Sequence, residues 1–239
     1  MNAEFIDRLA QGLSAMGVPY RAPMLETLAR FQEKLLAANV RMNLTRVGAE
    51  ACEAVDRNYL DSLAPLAQGL LQGAKAALDV GSGAGFPGIP LCVLVGEETR
   101  FVLVDSLGKR VAFLNEAIAE LRLNAEAVHA RMEDFARANR ERFDVATARA
   151  VAPVGVLAEL ALPALKRSGR LIAYKGPSAA EEVAAAQNAL RTLGGASAQI
   201  LPAPIPGRDW AHTLVVVQKA QKTPARYPRK AGEPSRNPL

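Results

Sequence analysis

The stretch Leu78-Asp79-Val80-Gly81-Ser82-Gly83-Ala84-Gly85-Phe86-Pro87-Gly88 decides how this chain folds. It follows a short apolar run, Ala76 to Leu78, and precedes another, Ile89 to Val95. That context reads as strand, glycine turn, helix, because glycines let the backbone bend sharply and let a ligand approach closely. A second apolar run, Phe101 to Val104, ends on Asp105. An acid about twenty positions past such a loop, at the end of the next strand, is placed to accept both hydroxyls of a ribose. The pattern implies an adenosine-containing ligand.

The spacing argues against a dinucleotide. That fingerprint needs a third glycine for close helix–strand packing under a pyrophosphate. After Gly81 and Gly83 the position holds Phe86, followed by Pro87. Asp79, just before the loop, would repel a pyrophosphate and suit a cation. S-adenosylmethionine carries a sulfonium, an ammonium and a ribose but no phosphate. Asp79, the Gly81/Gly83/Gly85 turn and Asp105 with Ser106 fit those groups better.

Around this loop the chain alternates. Strands are expected near 76–80, 100–105, 125–130, 143–148, 169–174, 197–201 and 213–218. Helices are expected near 88–95, 108–121, 132–138, 153–165 and 179–193. Strand–helix alternation implies an α/β fold, a mostly parallel sheet with helices on both faces. Before residue 76 the pattern is helical: Phe5, Leu9, Leu13 and Met16; then Leu25, Leu28, Phe31, Leu35 and Leu36, ending near Asn39; then Ala49 to Leu63. The expected organisation is a helical cap over 1–72, a core over 73–220 and a basic, proline-rich tail over 221–239.

Of 239 residues, half are hydrophobic, enough for a substantial core, and no apolar run approaches the roughly 20 residues that span a bilayer. The first residues lack the basic-then-apolar order of a secretory signal. Cys52 and Cys92 lack zinc-site spacing. The expectation is a cytoplasmic, metal-free protein. The net charge of +5 is uneven: residues 218–239 hold six basic residues and one acid, which leaves 23 of each sign elsewhere. Such a tail is either a solvated extension or an arm that meets polyanion.

Ligands of such sheets sit beyond the carboxyl ends of the strands. The residues there are Gly81 to Gly88, Asp105-Ser106, Arg131-Met132-Glu133, Arg149 and Lys175-Gly176. Three of the five positions offer a cation, and Lys109 and Arg110 add two more. A cationic cofactor does not call for these; a phosphate-bearing substrate does.

These residues resemble the bacterial 16S ribosomal RNA guanine-N(7) methyltransferases, also called the glucose-inhibited division protein B family. The similar segments are Met42-Asn43-Leu44-Thr45, Leu60-Asp61-Ser62-Leu63, Asp79 through Leu91, Leu103 to Ser106 with Lys109-Arg110 and Phe113-Leu114, Arg131 to Phe135, Phe143-Asp144, Arg149-Ala150-Val151-Ala152, Lys175-Gly176, and Tyr227 to Gly232 with Pro238. Asn58 departs from the family, which usually has His there. The resemblance implies a Rossmann-like S-adenosylmethionine-dependent methyltransferase with a seven-stranded sheet, acting as a monomer on one guanine of the decoding region. The substrate would be 16S ribosomal RNA or an assembling small subunit. It also implies that Gly81, Phe86, Met132, Glu133 and Arg149 contact the cofactor or line its pocket.

Nitrogen 7 of guanine has an in-plane lone pair, so methyl transfer to it needs no general base. His129 and His212 join no recognisable nucleophile–base pairing. The task is alignment, for which Arg149 and Lys175 are the catalytic candidates. Lys109, Arg110, Arg131 and Lys175, with Arg229 and Lys230 of the tail, are candidates for RNA phosphates. Each has a plainer alternative: Asp105 a helix cap, Arg149 an ion-pair partner, Lys109 and Lys175 solvated charges, Thr45 a cap and Asn43 a turn residue. A small-molecule methyltransferase would share the loop without needing the basic mouth, and a nucleic-acid binder would lack the transfer.

Overall fold

Residues 2–42 and 51–239 are described in the computed structural model. Strand β1 is Ala76–Val80 and β2 is Arg100–Asp105. Side chains alternate across a strand, and here both faces are apolar. Ala77, Phe101 and Leu103 enter one core; Leu78, Val80, Val102 and Val104 enter another. A sheet apolar on both faces must be covered on both. On the first face lie α1 (Asn2–Ala15), α2 (Ala22–Met42), α3 (Ala51–Ala54), α4 (Asp61–Ala67), α5 (Gly88–Val95) and α6 (Gly108–Leu121). The other face carries α7 (Met132–Ala138), α8 (Val154–Ala161), α9 (Ala179–Ala185), α10 (Gln187–Leu193) and α11 (Glu233–Arg236).

The remaining strands are β3 (Ala125–His129), β4 (Phe143–Arg149), β5 (Leu165–Lys175), β6 (Gln199–Pro202) and β7 (Thr213–Gln218). The sheet runs β3-β2-β1-β4-β5-β7-β6. Strands β1 to β5 are parallel, and β7 is antiparallel to both neighbours. The seven-stranded, mostly parallel sheet expected from the alternation is therefore present. Strand order reverses between β1 and β4, which opens a crevice at their carboxyl ends.

Several elements differ from the sequence expectation: α8 ends at Ala161, short of 165, β6 covers Gln199–Pro202 in place of 197–201, and α2 runs on to Met42. Strand β5 starts four residues early, at Leu165. Its polar run Lys166-Arg167-Ser168 accommodates a register shift between Phe143 and Val145, with Ser168 at φ +65°. The helix over 179–193 breaks at Ala186. The third cap helix is divided by a π-helical turn, Val55–Leu60, before α4 continues to Ala67. Its expected start, and the segment with Asn43 and Thr45, lie outside the described residues.

An aromatic chain fastens α1 and α2 to the glycine loop. Phe5 meets Tyr59 edge-on at 4.9 Å, Tyr59 meets Phe86 at 5.2 Å, and Phe86 meets Phe31 at 5.7 Å. The Tyr59 hydroxyl, buried, donates to Gln32 Oε1 at 2.9 Å. Each buried ring of this kind stabilises by roughly 2–3 kcal/mol.

The tail is neither an extension nor a free arm. Thr223 and Tyr227 are buried, and Arg140 donates to both their carbonyls at 2.5 Å. Lys219 is fully buried, with Nζ donating to Leu165 O at 2.6 Å. Arg229 pairs with the buried Glu159 at 2.6 Å, so two of the six tail cations, Lys219 and Arg229, are structural. A chain that returns across α8 needs charge to satisfy buried carbonyls and carboxylates, and composition alone cannot separate that use from a polyanion site. Among the described residues, no helix is long and apolar enough to cross a membrane.

Candidate active site

The glycine loop leaves β1 under tight backbone control. Gly81 N and Ser82 N donate to Val104 O at 2.9 and 3.1 Å. Gly83 N donates to Asp105 Oδ2, and Leu107 N to Asp105 Oδ1, both at 2.8 Å. Asp105 therefore joins the loop to the start of α6, with Arg110 Nη1 at 3.4 Å. Oδ1 accepts one backbone proton and keeps a lone pair for a ligand hydroxyl, whereas Oδ2 is shared between Gly83 N and Arg110. The cap-like bond to Leu107 N does not exclude a ligand role. Ser106 beside it is exposed.

The glycines divide by environment. Gly83, at φ +58°, faces open space; a Cβ there would meet nothing nearer than Gly81 O at 3.9 Å. Gly85, at φ +102°, is a packing position, where a Cβ would lie 2.8 Å from Ile89, 3.0 Å from Leu114 and 3.1 Å from Phe31. Gly81 is roofed by Val151, whose Cγ2 would be 2.8 Å from such a Cβ. The open side of the loop is thus near Gly83, facing Asp105.

Asp79 is turned into the fold. It is fully buried, accepting from Gly88 N at 3.2 Å and Thr147 Oγ1 at 2.8 Å. Burial pushes its carboxyl up to about 6. The expectation of a direct cationic contact is corrected, but the inference against pyrophosphate gains a firmer basis. Phosphate binding at a helix start uses its free N–H groups; here Gly88 N, opening α5, is taken by a buried carboxylate. The residues present fit a ribose-bearing, phosphate-free group.

Phe86 is buried between the cap rings and the Arg149 guanidinium, whose carbon lies 5.3 Å from the ring centre. Met132 is buried in the second core. Glu133, also buried, accepts from Gly232 N of the tail at 2.7 Å. Lys109 and Arg131 are exposed at the starts of α6 and α7. Lys230 is exposed. Arg229 is committed to Glu159, so its guanidinium is no free phosphate contact.

A cleft of about 500 Å³ opens where β4 and β5 end, with Asp61, Arg149, Tyr174, Lys175, Glu182 and His212 among its lining residues. Arg149 Nη1 donates to Arg57 O at 2.8 Å and to Asp61 Oδ2 at 2.9 Å. Lys175 Nζ donates to Ala152 O at 2.7 Å and pairs with Glu182 at 2.7 Å. Arg149 and Lys175 therefore share one cleft, each with a carboxylate partner. The loop between them turns through Ala150 at φ +56°, a conformation disfavoured for a side-chain-bearing residue.

Asp61, Tyr174, Glu182 and His212 have no role that sequence position alone assigns. For Asp61 a signal existed: a carboxylate inside the apolar run Tyr59-Leu60-Asp61-Ser62-Leu63 requires a buried partner. His212, 151 positions away, carried none.

A model of the family described as rRNA small subunit methyltransferase G matches residues 24–204. The ribosomal RNA small subunit methyltransferase G of Clostridium perfringens (strain SM101 / Type A) is 38% identical over 99% of both chains. That of Lactobacillus johnsonii is 39% identical over the whole of both. An O-methyltransferase from Bacillus cereus, solved in complex with SAH, superposes with a TM-score of 0.55 at 16% identity, covering 87% of this chain and 96% of that one; it shares the fold. The fold, the phosphate-averse glycine loop facing Asp105 and the full-length likeness agree: the chain belongs to the rRNA small subunit methyltransferase G family.

Proposed function

We propose that this protein transfers the methyl group of S-adenosylmethionine to nitrogen 7 of one guanine in 16S ribosomal RNA, free or in an assembling small subunit. The observation that carries this reading is the likeness, along 99% of the chain, to proteins named for small-subunit rRNA methylation. The cofactor supplies an electrophilic methyl on a sulfonium, whose sulfur leaves with the bonding pair. The attacked nitrogen carries no proton at neutral pH, so the protein's work is alignment and charge.

In this reading Asp105 accepts from the ribose hydroxyls, with Ser106 beside it. Gly83 admits the cofactor close to the backbone, with Gly81 beside it under Val151. Met132 and Glu133 bound its far side. Phe86 supports Arg149 by its ring. Asp79 and Gly85 act structurally, by fixing the start of α5 and the packing of α2. Arg149 and Lys175 form the catalytic pair at the cleft, meeting the cofactor carboxylate or a substrate phosphate. Lys109, Arg110, Arg131 and Lys230 hold flanking phosphates. The major groove of paired RNA is too narrow for side chains, so the guanine must be unpaired or turned out. A monomer acting in the cytoplasm completes the proposal.

The test is nucleoside mass spectrometry of rRNA incubated with the protein and labelled cofactor. Appearance of 7-methylguanosine in the small-subunit RNA supports the reading; methyl transfer to a small molecule in place of RNA rejects it.

A further inference from the structure

Asp61 stands between the cap and the reaction cleft. Its Oδ2 accepts from Arg149 Nη1 at 2.9 Å, and its Oδ1 accepts from His212 Nδ1 at 2.9 Å. Its side chain is 10% exposed, against 18% for Arg149 and 31% for His212. One carboxylate thus holds an arginine from the end of β4 and a histidine from the loop before β7.

The backbone beneath is built for this. Residues Val55–Leu60 form a π-helical turn, and Asp61 N donates to Asp56 O, five residues back. In an α-helix that proton would go to Arg57 O. The wide turn leaves the Arg57 carbonyl to Arg149, which takes it at 2.8 Å. Ser62 O, one residue past Asp61, accepts from the buried Tyr174 hydroxyl at 2.6 Å. Single π-turns that interrupt helices are frequent at functional sites. Here the interruption spends both anchoring bonds of Arg149 on one nitrogen. Among the described residues, Nε and Nη2 have no hydrogen-bond partner and remain for a ligand in the cleft.

We propose that Asp61 and His212 are positioning residues that act on methyl transfer through Arg149: Asp61 fixes the direction of the guanidinium, and the charge state of His212 sets how strongly the cleft attracts the RNA. This rests on the assignment of Arg149 and of the RNA substrate made above. The charges facing His212 are Asp61 on α4, Arg149 at the end of β4 and Arg57 on the π-turn, with the Lys175–Glu182 pair in the same cleft. The hydrogen bond to Asp61 raises the imidazole above its ordinary range, opposed by partial burial and by the two arginines. Protonated, His212 offsets Asp61 and leaves the charge of Arg149 for a phosphate. Deprotonated, it leaves Arg149 and Asp61 mutually neutralised. RNA affinity therefore falls as pH rises through the His212 midpoint.

The experiment has two arms on the full-length protein. In the first, NMR follows the Cε1–H signals of the two histidines against pH, with His129→Gln to assign them. The His212 midpoint is expected above the ordinary imidazole range in the wild type and lower in Asp61→Asn. A midpoint that Asp61→Asn leaves unmoved overturns the proposal. In the second arm, kcat and kcat/KM for rRNA are measured across the same pH range. The wild type is expected to lose about ten-fold in kcat/KM through the NMR midpoint, the worth of one charge-assisted contact. His212→Gln is expected to abolish that inflection, with kcat/KM held across the whole range near the value the wild type reaches above the midpoint. Asp61→Asn is expected to lower kcat at saturating RNA by ten-fold or more. An inflection that survives in His212→Gln, or a normal kcat in Asp61→Asn, overturns the coupling. A wild type that methylates no rRNA overturns the assigned substrate and the coupling with it. The NMR arm reads the Asp61–His212 pair in either case.

Discussion

Arg229 closes a forked ion pair on Glu159. Nε lies 2.9 Å from one carboxylate oxygen and Nη2 2.6 Å from the other, and the Glu159 side chain is 1% exposed. The backbone N–H of Arg229 adds a third bond at 2.8 Å. Removing one partner of such a pair leaves a buried charge uncompensated. Arg229→Ala should therefore cost about 3 kcal/mol of stability, read as a lower urea midpoint with little change in slope. Truncation after Gln218 should destabilise further, and Glu159→Gln should recover part of the Arg229→Ala loss. A tail that serves RNA alone would leave the midpoint where it is.

The two glycines on either side of Ala84 should separate ligand binding from packing. Gly85→Ala places a methyl against Ile89, Leu114 and Phe31 at φ +102°, so it should lower the thermal midpoint by several degrees. Gly83→Ala has room and bears only the strain of a left-handed residue, about 1 kcal/mol. Its larger effect should be on cofactor affinity by calorimetry. The reverse ranking would move the open face of the loop away from Gly83.

Asp105→Ala should weaken S-adenosylmethionine binding by about 1–3 kcal/mol, the usual loss for a charge-assisted bond. Its bond to Gly83 N predicts that the loop loosens as well, with faster amide exchange at Gly83. Unchanged affinity with faster exchange would reduce Asp105 to a structural tie.

Burial raises Asp79 to about 6 in the folded chain, against ~3.9 when unfolded. The native state then holds the proton more tightly, so this group's contribution to stability is greatest below pH ~4 and falls as pH rises to about 6. A shift of roughly two units corresponds to about 3 kcal/mol. The stability difference between wild type and Asp79→Asn, from urea denaturation, should fall by that order across the window and level above it. A flat difference would show that the Gly88 and Thr147 bonds stabilise the anion enough to cancel its burial.

The sheet was legible because its strands are buried on both faces. Apolar runs bounded by glycine or charge gave β1, β2 and β7 to the residue. What escaped was set by distant contacts. Lys166-Arg167-Ser168 looks like a polar connection, yet it belongs to β5, whose bulge is absorbed by pairing with β4. The cleft was half legible. Arg149 and Lys175 follow strands and could be found by position. Asp61 and His212 join them only because the cap and the loop before β7 fold over the same crevice. Asp79 reads as the edge of the glycine loop, but it lies inside β1, where its carboxylate is turned to Gly88 and Thr147.

Arg149→Lys keeps the charge and loses the fork that reaches Arg57 O, Asp61 and the cleft at once. Turnover at saturating substrates should fall steeply in Arg149→Lys and by ~100-fold or more in Arg149→Ala. Near-normal turnover in a folded alanine variant would assign Arg149 to structure.

The most direct test is mass-spectrometric mapping of methylated nucleosides in ribosomal RNA from cells with and without this protein, repeated with the Arg149→Ala variant. The account predicts one 7-methylguanosine in 16S rRNA that requires the protein and is lost in the variant. A 16S rRNA whose methylation pattern is the same with and without the protein would contradict it.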